Sequence, residues 1–187
     1  MSYRGKVILL GNPGVGKTSL LSQYVDGIFP KEYVQTTGAN FLIKEMEIAD
    51  LIEKVNIKNP KIKEDLAKKG FTLYFWDIGG QHDKLFANEY FFYQAIGGLV
   101  VFNVTDYNSF IDIDFWISKM KELSGDIPYI IIGNKVDLED KRAVKYEDIE
   151  KKARELGVKF FETSAKINKN VNEAFTDLAI QILNNFK

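Results

Sequence analysis

The chain has 187 residues, 45% of them hydrophobic and 27% charged, with a formal net charge of −1. This length and apolar content predict one globular domain over residues 1–187, and the near-neutral charge excludes binding of nucleic acid or anionic membranes through a strong overall field. The chain contains no cysteine, so disulfides, thiolate metal sites, a cysteine nucleophile and prenyl or palmitoyl anchors are excluded, and we expect a monomeric, cytoplasmic protein without a membrane anchor of its own.

Short apolar runs alternate with stretches of helical periodicity along the chain. Strands are predicted at 6–10, 40–48, 71–78, 98–104, 128–133 and the run VKFF, and helices at 17–25, 83–95, 108–124, 146–156 and 170–185. Strands that are apolar throughout are typical of parallel sheets covered on both faces. The alternation therefore predicts a doubly wound α/β sheet, in which ligands bind beyond the carboxyl ends of the strands.

Residues 50–70 interrupt this alternation between two predicted hairpin strands. A hairpin connection typically has about 2–5 residues, whereas this segment carries six lysines and three acidic residues between Leu51 and Gly70 alone. We interpret it as an inserted, exposed element made of two short helical pieces. Two roles stay open at this stage, a tolerated surface insertion and a loop that binds a partner.

The stretch GNPGVGKTS, residues 11–19, contains the phosphate-binding motif G-x-x-x-x-G-K-[ST]. It follows a predicted strand and begins a helix, and in that context backbone N–H groups and the helix N-terminus bind phosphates. Lys17 can reach the β- and γ-phosphates, and the Thr18 hydroxyl can bind Mg²⁺. The predicted phosphate-binding residues are Gly14, Val15, Gly16, Lys17, Thr18 and Ser19.

The stretch GNKVD follows the predicted strand 128–133 and selects the base. Asp137 can accept hydrogen bonds from the N1–H and the 2-amino group of guanine, whereas adenine has neither donor and would leave this carboxylate unpaired. Together with Asn134 and Lys135, Asp137 predicts a guanine-nucleotide site. In the later stretch ETSAK, the backbone around Ser164 and Ala165 can contact the guanine O6, and Lys166 can pack over the base.

By these motifs the chain resembles the Ras superfamily of small GTPases over about residues 4–186. The stretches TTGANF, LYFWDIGGQ, FFYQAIGG and VFNVTDYNSFIDIDFWI are most similar to the Rab branch, and Gly79-Gly80 in the second switch is similar to the Arf branch. The resemblance implies a P-loop NTPase fold, with a six-stranded, mostly parallel sheet and helices on both faces. It also implies bound GTP or GDP, Mg²⁺, and three kinds of protein partner: effectors, an exchange factor and an activating protein.

The resemblance assigns roles to the first switch segment. Phe29 would stack on the guanine. Thr36 would bind Mg²⁺ through its hydroxyl and the γ-phosphate through its backbone N–H. The neighbouring Thr37 is a rival, but the spacing from Gly11 and the following GANF favour Thr36.

The second switch segment, within WDIGGQ, completes the implied site. Asp77 would hold Mg²⁺ through water, and the Gly80 N–H would contact the γ-phosphate. Gln81 would orient the attacking water, so that catalysis depends on positioning and electrostatics. The predicted catalytic residues are Gln81, Lys17 and Thr36.

Pro13 lies inside the phosphate loop and has no backbone N–H. The phosphate cradle can be built from Gly14 onward, so we predict that Pro13 is compatible with turnover. Gly79 replaces the alanine of the Rab pattern and predicts a more mobile second switch. His82 is interpreted as an exposed switch residue.

The aromatic residues allow two interpretations. Trp76 and Trp116 lie in apolar patterns and are predicted to be core residues. For the run from Tyr90 to Tyr93, core packing and partial exposure for partner binding both stay open.

Together these patterns predict a guanine-nucleotide switch acting in Rab-like membrane traffic, attached peripherally to membranes through partners. No arginine in the phosphate loop or first switch offers a finger in cis, so we expect slow hydrolysis until a partner accelerates it, by roughly 10³–10⁵-fold for an arginine finger. The alternatives are a nucleotide-dependent binding or scaffold module with little turnover, and an adenine-using P-loop kinase. Gln81 and Thr36 argue against the first, and GNKVD argues against the second.

Overall fold

A computed structural model of the chain describes residues 3–30, 39–46, 51, 54–57, 59–79 and 89–185. The strands are β1 (Tyr3–Leu10), β2 (Ala39–Met46), β3 (Phe71–Ile78), β4 (Ala95–Asn103), β5 (Tyr129–Asn134) and β6 (Phe160–Thr163). The helices are α1 (Lys17–Asp26), α2 (Pro60–Lys69), α3 (Tyr107–Ile111), α4 (Ile113–Ser124), α5 (Tyr146–Leu156) and α6 (Val171–Asn184). Short 3₁₀ turns lie at Glu89–Phe91 and Glu139–Lys141.

The six strands form one sheet in the order β2-β3-β1-β4-β5-β6. β2 pairs antiparallel with β3, and the other neighbours pair in parallel. The predicted α/β sheet, six-stranded and mostly parallel, is therefore confirmed. In the parallel part of the sheet the carboxyl ends of the strands share one edge, where the loops after β1, β3, β5 and β6 lie together.

The sheet buries one hydrophobic core on each face. Helices α1 and α6 cover one face, where the Tyr24 and Phe175 rings stack 4.1 Å apart. Helices α4 and α5 cover the other face, where Trp116 is fully buried as predicted. No helix in the described ranges is both long and apolar enough to cross a membrane.

The prediction that the 50–70 segment is exposed is wrong for its apolar side chains. Four of them are buried in the core on the α1 and α6 side of the sheet: Leu51, Val55, Ile57 and Leu66. The backbone N–H of Asn56 also donates a hydrogen bond of 2.7 Å to the side chain of Asn184 in α6. The described part of the segment contains one helix, α2, rather than two. The Asn59 side chain caps this helix and Pro60 begins it, as the capping rules favour.

The helix predicted at 83–95 is not found in the described part of that range. Glu89–Phe91 forms a single 3₁₀ turn, Gln94 has a positive φ of 59°, and β4 begins at Ala95. The sheet register explains the difference, because Ala95 already pairs with Lys6 of β1. Residues 83–88 lie outside the described part of the chain.

Candidate nucleotide-binding site

The loop between β1 and α1 has a backbone that depends on glycine. Gly11, Gly14 and Gly16 have φ values of 140°, 75° and 99°, in the region that other residues rarely adopt. A Cβ at Gly11 would lie 2.0 Å from the Val101 carbonyl oxygen, and one at Gly16 would lie 2.3 Å from Asn134 Nδ2. The first turn of α1, which Gly16 caps, therefore presents its free N–H groups to the loop.

Lys17 supplies a buried cation to this loop. Its Nζ donates hydrogen bonds to the carbonyl oxygens of Gly11 at 2.7 Å and Asn12 at 3.0 Å. Burial lowers the pKa of Lys17 to about 8, and the nearby carboxylate of Asp77 partly opposes this shift. An anion in the loop would favour the protonated ammonium, so the site has a charge suited to phosphate.

Thr18 and Asp77 bring a hydroxyl and a carboxylate together beside the loop. The Thr18 hydroxyl donates to the Asp77 carboxylate, and Asp77 is fully buried at the end of β3. Both groups offer the hard oxygen ligands that Mg²⁺ prefers, and Mg²⁺ usually takes only one or two protein ligands beside water and phosphate oxygens. The residues therefore fit the predicted Mg²⁺ site.

Asn134 joins the phosphate loop to the loops after β5 and β6. It is buried, and its Nδ2 donates to the Val15 carbonyl oxygen at 3.0 Å. Its Oδ1 accepts from the Thr163 hydroxyl at 3.2 Å and from the Ala165 N–H at 3.3 Å. One side chain thus fixes three loops relative to each other.

Lys135 makes a second connection to the phosphate loop. Its φ is 70°, and its Nζ donates to the Gly14 carbonyl oxygen at 2.6 Å. Burial lowers the pKa of Lys135, and Asp137 is the larger of two opposing carboxylates. We call residues 134–137, at the carboxyl end of β5, the base loop. The aliphatic part of the Lys135 side chain therefore lies between the phosphate loop and the base loop.

The base loop is ordered by a serine–aspartate contact. The Ser164 hydroxyl donates to Asp137 Oδ1 at 2.6 Å and accepts from the Ile167 N–H at 3.3 Å. The other carboxylate oxygen of Asp137 is not used in that bond, and Asp137 is only half-buried. Ala165 is buried, whereas Lys166 is exposed. This arrangement holds Asp137 where it can accept donors from a base.

Two supports of the site escaped the sequence patterns. Arg142 donates from Nη1 to Glu162 Oε1 at 2.7 Å and to the Val144 carbonyl oxygen at 3.1 Å, which fixes the start of the ETSAK stretch. Asn12 connects the phosphate loop to α4 through Asp112 and Trp116. Arg142 belongs to no motif, and Asn12 occupies an unspecified position of the phosphate motif. Short-range patterns could not assign these roles, because Glu162, Asp112 and Trp116 are distant in sequence.

The predicted site residues divide into those that the structure brings together and those that it does not describe. The phosphate loop, Asp77, the Asn134–Asp137 stretch and the Ser164–Ala165 backbone lie at one edge of the sheet. Phe29, just after α1, is 40% exposed. The residues Thr36, Thr37, Gly80, Gln81 and His82 lie outside the described ranges, so their predicted roles stay predictions.

An aromatic surface lies on β2, β3 and the turn before β4. We define it as Phe41, Trp76, Phe91 and Tyr90. The ring centroids of Phe41 and Trp76 are 5.1 Å apart, and those of Trp76 and Phe91 are 5.9 Å apart. Tyr90 is 84% exposed and Phe41 43% exposed, while Trp76, predicted to be a core residue, is half-buried and packs against the core on the α4 side.

The 90–93 run contains both buried and exposed residues, and its use for partner binding stays a prediction. Tyr90 and Tyr93 are exposed, whereas Phe92 is buried in the core on the α4 side. Lys6 stabilises this turn, because its Nζ donates to the carbonyl oxygens of Tyr90 at 3.0 Å and Tyr93 at 3.1 Å. The same Nζ lies 4.6 Å from the centre of the Trp76 ring.

Comparison with known proteins finds similarity along almost the whole chain. Residues 6–184 match the Ras family. The chain is 37% identical to Ras-related protein Rab-13 of Bos taurus over 179 residues, which is 95% of this chain and 79% of that protein. It is 36% identical to GTP-binding protein ypt2 of Schizosaccharomyces pombe, over 96% of this chain and 82% of that protein. It is also 36% identical to Ras-related protein Rab-8B of Homo sapiens, over 97% of this chain and 79% of that protein.

Proposed function

The chain belongs to the Rab branch of the Ras superfamily of small GTPases, which hydrolyse GTP, and we propose that it is a Mg²⁺-dependent switch whose GTP form recruits effectors in membrane traffic. Exchange of GDP for GTP would order the two switch segments around the γ-phosphate, and hydrolysis would release them. Attachment to membranes would be peripheral and made through partners.

The observation that carries this proposal is the direct connection between the phosphate loop and the base loop. Asn134 and Lys135 donate to the backbone of Val15 and Gly14 at 3.0 and 2.6 Å. A nucleotide spans from its phosphates to its base, so a site that binds one must hold both loops in a constant relation. The base-side acceptor Asp137 then favours guanine, because adenine lacks both donors.

The residues present also suit the hydrolysis chemistry. Lys17 and the N–H groups of the first turn of α1 would bind the phosphates and stabilise negative charge that develops during cleavage. Thr18, Thr36 and, through water, Asp77 would hold Mg²⁺, which when bound neutralises charge on the β- and γ-phosphates. Gln81 would orient the water for attack on the γ-phosphate.

Nucleotide competition and hydrolysis measurements test the proposal. GDP bound to the purified protein should be displaced by GTP but not by ATP at equal concentration, because ATP would leave Asp137 unpaired. Displacement by ATP would contradict guanine selection. In single-turnover assays, phosphate release should be slow in the wild type and lost in Gln81→Leu, with GTP binding retained. Equal release by both proteins would remove Gln81 from the mechanism, and fast release by the wild type alone would contradict slow intrinsic hydrolysis.

The aromatic surface is the proposed contact for effectors. Exposed aromatic side chains that lie next to each other are typical of protein-binding surfaces, and this surface borders both predicted switch segments in sequence. Its binding should therefore depend on the nucleotide. A pulldown with proteins locked in the GTP and GDP forms should recover partners with the GTP form, and Phe41→Ala should lose them. Tyr107→Ala is the matched control, because Tyr107 is 48% exposed on α3, away from this surface in sequence.

Deleting the 50–70 segment would not test whether it binds a partner. Four of its side chains are buried in the core, so removing the segment would disturb folding as well as any surface. Substituting exposed lysines of α2, such as Lys61→Glu with Lys68→Glu, would change its charge and leave Leu66 in place. Unchanged partner recovery with this double variant would assign the segment to the core and not to recognition.

A further inference from the structure

The phosphate loop is connected to α4 by the side chain of Asn12. Asn12 Nδ2 donates to Asp112 Oδ2 at 2.6 Å, and the Trp116 indole Nε1–H donates to Asn12 Oδ1 at 2.8 Å. These partners lie 100 and 104 residues farther along the chain. Both ends of the Asn12 amide are therefore engaged by another element of the fold.

The chemistry of the two partners leaves one orientation for this amide. An indole N–H can only donate, and an ionised carboxylate can only accept. Asn12 must therefore direct its oxygen to Trp116 and its nitrogen to Asp112. Trp116 cannot easily move, because it is fully buried in the core between α4 and the sheet. A rigid residue thus fixes the side chain of a loop residue.

The backbone of Asn12 connects this contact to the reacting end of the site. Its carbonyl oxygen, with that of Gly11, accepts from Lys17 Nζ. Asn12 also precedes Pro13, whose ring restricts the backbone of Asn12 to extended conformations. A displacement of the Asn12 side chain would therefore move the first part of the phosphate loop, where Lys17 is held.

We infer that Asn12, Asp112 and Trp116 form a tether that positions the phosphate loop for nucleotide retention and GTP hydrolysis. Asn12 is a positioning residue and not a catalytic one, because its side chain faces α4. The inference rests on the proposed binding of the phosphates by residues 14–19 and adds a function for α4, which carries none of the nucleotide-binding motifs.

An exchange of the amide and the carboxylate tests the tether directly. Asn12→Asp alone would place two carboxylates in contact beside the indole and should accelerate GDP dissociation and slow single-turnover hydrolysis, each by about tenfold. Combining it with Asp112→Asn restores one amide and one carboxylate, and the carboxylate can accept from both Trp116 Nε1–H and the amide. The double variant should recover to within about threefold of the wild type. If the two substitutions only disturbed the structure, their effects on GDP dissociation and hydrolysis would add, and the double variant would be further from the wild type than Asn12→Asp.

Trp116 also provides a spectroscopic measurement. In a Trp76→Phe background its indole fluorescence should shift in Asn12→Asp, because repulsion between the two carboxylates displaces the acceptor at position 12 from the indole N–H. The fluorescence should return in the exchanged double variant, where that repulsion is removed. Asp114→Asn is the matched control: Asp114 lies on α4 two residues away and pairs with Lys152 at 2.7 Å, so neither kinetics nor fluorescence should change. The control separates a local contact from general damage to α4.

The outcomes distinguish this inference from the proposed function. A wild-type protein that binds no guanine nucleotide would overturn both. A wild type that binds and hydrolyses GTP, with an exchanged variant no better than Asn12→Asp, would overturn the tether alone. If Asn12→Asp fails to fold, Asp112→Ala and Trp116→Phe each remove one bond without adding a charge, and each should accelerate GDP dissociation about threefold. Unchanged dissociation in both would also overturn the tether.

Discussion

Replacing Asn134 by alanine should weaken both the fold and the nucleotide site. The buried amide makes three hydrogen bonds, to Val15, Thr163 and Ala165. A neutral hydrogen bond contributes about 0.5–1.5 kcal/mol, and a buried group left without a partner raises the loss. The three bonds together predict a loss of about 3 kcal/mol in the free energy of unfolding. For a domain of this size that corresponds to a Tm lower by about 6–12 °C.

The same substitution should also accelerate nucleotide dissociation. Asn134 holds the phosphate loop against the base loop, so its removal lets the two ends of the site move independently. We expect GDP to dissociate about 100-fold faster, which corresponds to about 2.7 kcal/mol. Dissociation of a fluorescent GDP analogue and thermal unfolding, measured on the same preparation, give both quantities.

Asn103 offers a matched control for this experiment. It is the register partner of Asn134 at the end of the adjacent strand β4. Its Oδ1 accepts from the Thr105 N–H at 3.0 Å and the Thr105 hydroxyl at 2.9 Å, and these bonds stay within one loop. Asn103→Ala should lower the Tm but leave GDP dissociation close to that of the wild type. Equal acceleration in both variants would refute the reasoning, because it would show that any weakened loop at this edge releases nucleotide.

Three further predictions concern other parts of the chain. The pKa of Lys17 is about 8 in the folded protein against 10.5 when unperturbed, so between these pH values the unfolded chain binds more protons than the folded one. The free energy of unfolding of the nucleotide-free protein should therefore rise from pH 8 towards pH 10 by up to about 3 kcal/mol. Urea unfolding of Lys17→Met should lack this rise. Leu66→Ala should lower the free energy of unfolding by about 2–4 kcal/mol, because it empties a buried position, and the exposed Lys68→Ala should change it by less than about 0.5 kcal/mol in the same urea titration. Pro13→Gly should change single-turnover hydrolysis by less than about tenfold, and a larger gain would show that the proline obstructs turnover.

Local sequence patterns were sufficient to predict the buried strands and the two nucleotide-binding motifs. Continuous apolar runs located the buried parallel strands, since both faces of those strands must be covered. The phosphate loop and GNKVD were predicted with their strand contexts because glycine and side-chain chemistry act within a few residues. The structure brings these two stretches within hydrogen-bond distance, as strands ending at one edge of a sheet require.

Burial of the 50–70 segment was missed because its lysines dominated the interpretation. A weaker signal was present, since Leu51 and Val55 are four residues apart, as are Ile62 and Leu66. That spacing places apolar side chains on one face of a helical turn. The lysines occupy the other face of α2, where Lys68 and Lys69 pair with acidic residues four positions earlier. The lysines reflected the exposed face of α2 and gave no information about its buried apolar face.

The start of β4 was missed for a different reason. The run AIGG contains two glycines, which usually indicate a loop or weaken a strand. In the sheet both are needed, because a Cβ at Gly97 would lie 2.5 Å from Ile182 and one at Gly98 would lie 2.4 Å from Met120. Helices packed closely on both faces of β4 leave no room for side chains there. Such a requirement depends on residues distant in sequence and cannot be seen in the run itself.

The phosphate loop is held at its beginning through Asn12 and at its middle through Asn134, and the combined effect of the two contacts can be predicted. Glycine-rich backbone loses much conformational freedom when it is ordered, so a loop with three glycines among residues 11–16 needs support from other parts of the fold. Asn12, through α4, fixes its beginning, and Asn134 fixes its middle at Val15. Once either contact is lost, the loop already samples other conformations, and losing the second should matter less. GDP dissociation from Asn12→Ala with Asn134→Ala should therefore be slower than the product of the two single effects predicts. Additivity to within about 0.5 kcal/mol would instead show that the two contacts restrain the loop independently.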